Sequence, residues 1–153
     1  MRMSGAVRLA AVTDAQVIAD LLTQLGYTQD GDGLEPRIRR WIEDPSSAAM
    51  VWDDSGTVAG VIAVHVCPFF ERDGSWGRIA ALVVSERSRA RGVGAALVTA
   101  AEQFAIESEC HRMEVTSSRQ RPDAHAFYRK RGYVDVCDAS GRFLRDLESL
   151  PGS

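Results

Sequence analysis

The chain is short of the residues that staple or metallate a small protein. It has three cysteines, Cys67, Cys110 and Cys137, far apart and with no CxxC pair. An odd, scattered set argues against a disulfide framework and for a reducing compartment. Its three histidines, His65, His111 and His125, are equally dispersed, so no zinc-ligand spacing arises and no metal site is expected. There is no apolar run long enough to span a membrane and no signal-peptide core after Met1, so no membrane partner is expected. There is also no excess of basic charge. A formal net charge of -3 argues against a broad nucleic-acid footprint, which needs a basic face. Internal repeats, low-complexity tracts and linkers are missing too. These absences together predict a cytoplasmic protein.

What is present is ordinary globular composition, 45% hydrophobic and 25% charged over 153 residues. That length suits one domain, residues 1–153, and such a chain buries about 68–70% of its unfolded surface. The pattern along it alternates. Residues 7–11 read as a strand, and Thr13 is a predicted helix N-cap with Gln16 completing a capping box. Val17, Ile18, Leu21, Leu22 and Leu25 then share a helical face that Gly26 ends. A polar loop leads to a second helix over 34–43, barred from continuing by Pro45. Strands are expected at 48–52 and 58–66 around the turn at 53–56, then a loop over 67–75. Residues 79–84 form a nearly continuous apolar run, as in a strand buried on both faces. A long amphipathic helix follows Gly92, a strand covers 113–116, and a helix opens at Pro122 and stops at Gly132. Residues 133–136 and 143–147 finish with β character. The fold class is α/β.

The segment with chemistry lies between the buried strand and the long helix: Arg89, Ala90, Arg91, Gly92, Val93, Gly94 and Ala95. A helix N-terminus offers free N–H groups and the positive end of its dipole. Glycines let a pyrophosphate approach, and arginines add charge-assisted bonds. A P-loop is excluded because Gly94 is followed by two alanines, and a dinucleotide fingerprint because Leu97 stands where a glycine is needed. Taken alone, the two glycines also fit a plain tight turn.

Two motifs in order widen the signal. Leu82, Val83 and Val84, a charged turn, and the arginine-glycine segment resemble the acetyl-CoA signature of the GNAT superfamily of N-acetyltransferases. Ala124, Phe127, Tyr128, Gly132 and Tyr133 resemble that superfamily's later motif, a helix end ending in glycine and an aromatic. The resemblance is sharpest over 79–134. It implies a mixed, mostly antiparallel sheet that splays beside the acetyl-CoA strand, flanked by helices. It implies acetyl-CoA as co-substrate, with main-chain groups of Leu82 and Val84 on the pantetheine and those of residues 90–95 on the pyrophosphate. Tyr128 matches the tyrosine that protonates the departing thiolate, with a main-chain N–H near Val83 on the oxyanion. Read without the family, Leu82 and Val84 are core and Tyr128 a packed aromatic.

The general base stays open. Many relatives carry a glutamate on the strand where this chain has Ala80 and Ala81, and Arg121 replaces the later motif's frequent asparagine. Glu71, Asp73, His65 and a water chain are the alternatives. A covalent cysteine route is disfavoured, since no cysteine has a paired histidine signature. The expected reaction is direct transfer to a small amine such as an aminoglycoside, polyamine or amino-acid derivative. Asp30, Asp32 and Glu35 lie where relatives shape the acceptor pocket. The resemblance also allows a homodimer. The competing reading is a catalytically silent acetyl-CoA sensor, which the missing strand carboxylate favours and the retained Tyr128 opposes.

Overall fold

The computed structural model of the chain describes residues 5–27, 33–89, 91–117 and 122–148. Two compact units are present, Met1–Thr116 and Ser117–Ser153, and each is described by itself.

The first unit is built on a sheet of five strands: β1 (Ala6–Leu9), β2 (Ser47–Asp54), β3 (Thr57–Pro68), β4 (Ser75–Val84) and β5 (Cys110–Val115). Their order across the sheet is their order in the chain. β1 to β4 are antiparallel neighbours, so short turns join β2 to β3 and β3 to β4. β5 lies parallel to β4 and needs a crossover, supplied by helix α3 (Val93–Glu107). Helices α1 (Ala15–Leu25) and α2 (Leu34–Glu43) follow β1. The mixed, mostly antiparallel sheet flanked by helices is the expected architecture.

The two faces of the sheet are covered differently. On one, Ile18 and Leu21 of α1 and Leu34 and Ile38 of α2 pack with Val51, Val61 and Val83. On the other lies α3, whose Val93, Leu97, Val98, Ala101 and Ala105 are buried. Two glycines let α3 come close. A Cβ on Gly60 would meet Leu97 Cδ1 at 2.9 Å and Val93 Cγ1 at 3.2 Å. One on Gly77 would meet Met113 sulfur at 2.9 Å and Ala105 Cβ at 3.1 Å.

Helix α1 starts differently from expectation. Thr13 lies inside a short 3-10 turn, Val12–Asp14, and caps nothing; the helix begins at Ala15. The Asp14 carboxylate takes the competing role. It accepts the Ala11 N–H at 2.7 Å and two Arg8 N–H groups at 2.8 and 2.9 Å. Arg8 Nε also donates to Asp53 Oδ2 at 2.9 Å, which ties β1 to β2. Charge-assisted bonds of this kind outweigh a neutral hydroxyl cap. Asp14 is the buried charged residue of the described chain.

β1 ends early, at Leu9, but β3, β4 and β5 are longer than the apolar runs that announced them. β3 continues to Pro68, β4 opens at Ser75, and β5 opens at Cys110. Ser75 to Arg78 are not an apolar run, but they are paired by β3 on one side and β5 on the other. Pairing sustains what side-chain pattern does not reveal.

The second unit contains helix α4 (Pro122–Lys130). It ends in a Schellman motif: the Tyr133 N–H donates to Tyr128 O and the Gly132 N–H to Arg129 O, both at 3.0 Å, with Gly132 at φ 92. The strands expected at 133–136 and 143–147 are not formed among the described residues. Local bonds compete there, since Asp135 Oδ1 accepts the Cys137 N–H at 3.0 Å and the Ala139 N–H bonds Val136 O at 2.9 Å. Val134 and Phe143 are left 80% and 94% exposed.

The Arg8 hydrogen bonds outweigh burial and hold the Asp14 carboxyl below the usual carboxylate range. A group depressed in the folded state adds stability above its unfolded value, and loses it as pH falls through the folded one. Asp14→Ala should therefore cost about 1–3 kcal/mol at pH 7, read as a lower urea midpoint at unchanged slope. The gap between wild type and variant should close as pH falls below about 4. A gap that does not narrow as pH falls would remove the ion pair as its cause.

Candidate active site

The site begins where two strands part. β4 pairs with β3 along its whole length, to Val84 opposite Gly60. With β5 it pairs only from Ser75 to Ile79, opposite Cys110 to Val115. From Ala80 to Val84 no strand among the described residues pairs with the β5-facing edge of β4. A strand edge without a ladder partner can bond an extended ligand through its main chain.

A bulge sits at the parting. Ala63 pairs Ala81 and Val64 pairs Ile79, which leaves Ala80 unpaired and exposed. The extra residue reverses the side-chain alternation beyond it. Leu82 and Val84 now share the α3 face with Ile79 and are half-buried, while Val83, 3% exposed, joins the α1/α2 core. These are the three strand residues expected at the cofactor. Their side chains pack, and only their main chain lies along the open edge.

Beyond β4 the Ser85 N–H donates to Ala59 O at 2.7 Å, and a 3-10 turn, Glu86–Ser88, redirects the chain. Arg89 is extended, and Gly92 caps α3 at φ 83, a left-handed conformation that suits glycine. The first α3 amide with an intrahelical acceptor is that of Ala96, on Gly92 O at 3.0 Å. The N–H groups of Val93, Gly94 and Ala95 precede it, and Gly92 has no side chain to cap them. Arg89 and Arg91 are exposed beside them, while buried Val93 pins the first turn against Gly60. Ala90 lies outside the described residues, as do Asp30, Asp32 and Arg121.

In the second unit Tyr128 occupies the last turn of α4, half-buried and edge-on to Phe127 at 5.2 Å and to Tyr133 at 5.6 Å. Burial pushes its phenol above the usual value, so it keeps its proton at neutral pH. The base candidates separate by surroundings. Glu71 and Asp73 stand exposed in the loop before β4. His65 is half-exposed on β3, with Nδ1 2.8 Å from Ser47 Oγ, a contact invisible in sequence because the two are eighteen residues apart. Burial pushes the Cys110 thiol up, which weakens it as a nucleophile. Among the described residues no helix is long and apolar enough to cross a membrane.

An unpaired half of β4 running into the uncapped start of α3 marks this α/β fold. Residues 15–133 match the Acetyltransferase (GNAT) family, and the chain belongs to that family. It is an acyltransferase whose co-substrate is acetyl-CoA. An aminoalkylphosphonate N-acetyltransferase from Salmonella typhimurium is 30% identical over 119 residues, 76% of this chain and 74% of that protein. A putative acetyltransferase from Agrobacterium tumefaciens superposes at TM-score 0.81 and 21% identity, covering 92% of this chain and 99% of that one. AAC(6')-Iy, solved with the bisubstrate analogue CoA-S-monomethyl-acetylneamine, superposes at TM-score 0.80 and 16% identity, covering 93% and 97%. At such identities the two structures establish a shared fold.

Gly92→Asp should weaken acetyl-CoA binding at least 10-fold by calorimetry, since it sets a negative side chain beside the α3 amides. Arg39→Ala, which removes an exposed 3.5 Å ion pair with Glu35, should leave affinity unchanged. Wild-type affinity in a folded Gly92→Asp protein would move the phosphate site elsewhere.

Proposed function

We propose that the protein is a single-domain, cytoplasmic N-acetyltransferase that passes the acetyl group of acetyl-CoA directly to a small primary amine. The observation that carries this reading is the open edge of β4 from Ala80 to Val84, continuing into the uncapped start of α3. The main chain of Leu82 and Val84 would bond the pantetheine amides. The N–H groups of residues 90–95, with Arg89 and Arg91, would hold the pyrophosphate.

Acetyl-CoA supplies an activated carbonyl as its thioester. The chain's own contribution is positioning and proton control. A main-chain N–H near Val83 steadies the oxyanion, and Tyr128 gives its phenolic proton to the leaving sulfur. The burial that keeps Tyr128 protonated supports this assignment, together with the motif around it. The acceptors to be tested first are aminoalkylphosphonates, because the 30% identical relative is named for them. Aminoglycosides, polyamines and amino-acid derivatives complete the panel.

Acetyl-CoA should raise the melting temperature, since a ligand of the folded state stabilises it by mass action, and ATP or NAD at equal concentration should do much less. Equal shifts would mean generic phosphate binding. Tyr128→Phe keeps the ring and loses the donor. It should leave acetyl-CoA affinity within about twofold and lower turnover by about 10-fold or more, followed as thiol release with a limiting chemical step. Undiminished turnover would retire the acid role.

A further inference from the structure

His65 stands one rung from the bulge. Its partner on β4 is Arg78, and the next pair on the same face is Ala63 with Ala81. One strand across and two residues along separate His65 from Ala81, roughly 8 Å between main chains at ordinary strand spacings. An imidazole spans that gap with at most one water, so the ring nitrogen reaches the bulge end of the open β4 edge, on the side of the sheet that carries Val83. The ring is accessible, with 45% of the side chain exposed, and Trp41 of α2 meets it edge-on at 6.5 Å.

The ring's tautomer follows from its neighbours. Ser47 Oγ lies 2.8 Å from His65 Nδ1 and 2.8 Å from Asp44 Oδ2, and it has one proton to give. Asp44 closes α2, and bonds from the Ser46 N–H and the Ser47 hydroxyl hold its carboxyl below the usual range. An ionised carboxylate only accepts, so the hydroxyl proton goes to Asp44. Nδ1 must then donate to Ser47 Oγ. The neutral ring is left with its lone pair on Nε2. The other ionisable groups on the elements around it are Arg40 and Glu43 in the last turn of α2, and Arg78, bonded to Glu114 of β5 at 2.8 Å.

We infer that His65 is the general base of the transfer, with Ser47 and Asp44 as positioning residues that keep Nε2 free. The inference rests on the proposed N-acetyl transfer. Nε2 takes one proton from the acceptor ammonium. The exposed nitrogen lone pair forms the N–C bond as the C–S bond breaks, and the sulfur takes the Tyr128 proton. A second proton from the nitrogen restores Tyr128, and His65 releases its own to water. The products are the amide, the free thiol and one proton.

The test pairs kinetics with nitrogen NMR. With 2-aminoethylphosphonate and the rest of the acceptor panel, His65→Gln should lower kcat by about 10²–10⁴-fold and abolish the acidic limb of the pH profile. Acetyl-CoA affinity should hold. In the wild type, His65 should carry its neutral proton on Nδ1; Ser47→Ala should lose that preference and shift the acidic limb. Wild-type kcat and pH profile in a folded His65→Gln protein would overturn the base and leave the transferase intact. A wild-type neutral ring protonated on Nε2 would overturn it too. A wild type that acetylates no acceptor in the panel would sink the proposed transfer to a small amine and the base with it.

Discussion

Main-chain N–H and C=O groups need partners, and in the second half of β4 one row of them has none from the sheet. Much of the first unit serves to hold that edge open. β5 departs after Ile79, the bulge at Ala80 turns the strand, and α3 makes the crossover that lets β5 return in parallel. One residue couples the edge to the helix. Gly60 pairs with Val84 at the end of β4, and its missing side chain admits Val93 and Leu97 of α3. The strand edge and the helix end are therefore fixed to the same point on β3.

How much of this the residues announce depends on the range of the interaction. Helix α2 lies where Leu34, Ile38 and Pro45 predict it, because amphipathic periodicity and a proline stop are local. The turn at Gly92 is legible for the same reason. The bulge is not, since Ala80 and Ala81 look alike and only the register of β3 distinguishes them. Thr13 misleads because its rival is Asp14, and the partner that decides the contest, Arg8, lies on another element. The residues at 133–136 and 143–147 carry strand propensity, yet propensity forms no ladder without a neighbour, and Asp135 offers the chain a local turn instead.

Two carboxylates show how exposure divides similar chemistry into different work. Asp14 is buried and accepts three hydrogen bonds, and its partner Arg8 is itself shared with Asp53. That network joins β1, β2 and the start of α1, and none of its groups titrates near neutrality. Asp44 is partly exposed and bonds a hydroxyl that in turn meets an imidazole. Here the chain of bonds ends in a group with a spare lone pair. The first arrangement locks a fold, and the second orients a reagent.

The alanine at the bulge gives the second arrangement its significance. A carboxylate at Ala80 would stand on the half of β4 that has a strand on one side only. His65 stands on β3, its ring hydrogen-bonded to Ser47 of β2 and its main chain in register with Arg78 of β4. A base mounted between two strands, with one ring nitrogen anchored, is held closer to a single geometry than one on a free edge. Proton transfer depends steeply on such placement, and a displacement of about 1 Å can cost about 10²-fold in rate. With the inferred base on β3 and not on β4, β4 keeps one task in the proposed transfer, to present its main chain, and the strand beside it carries the base.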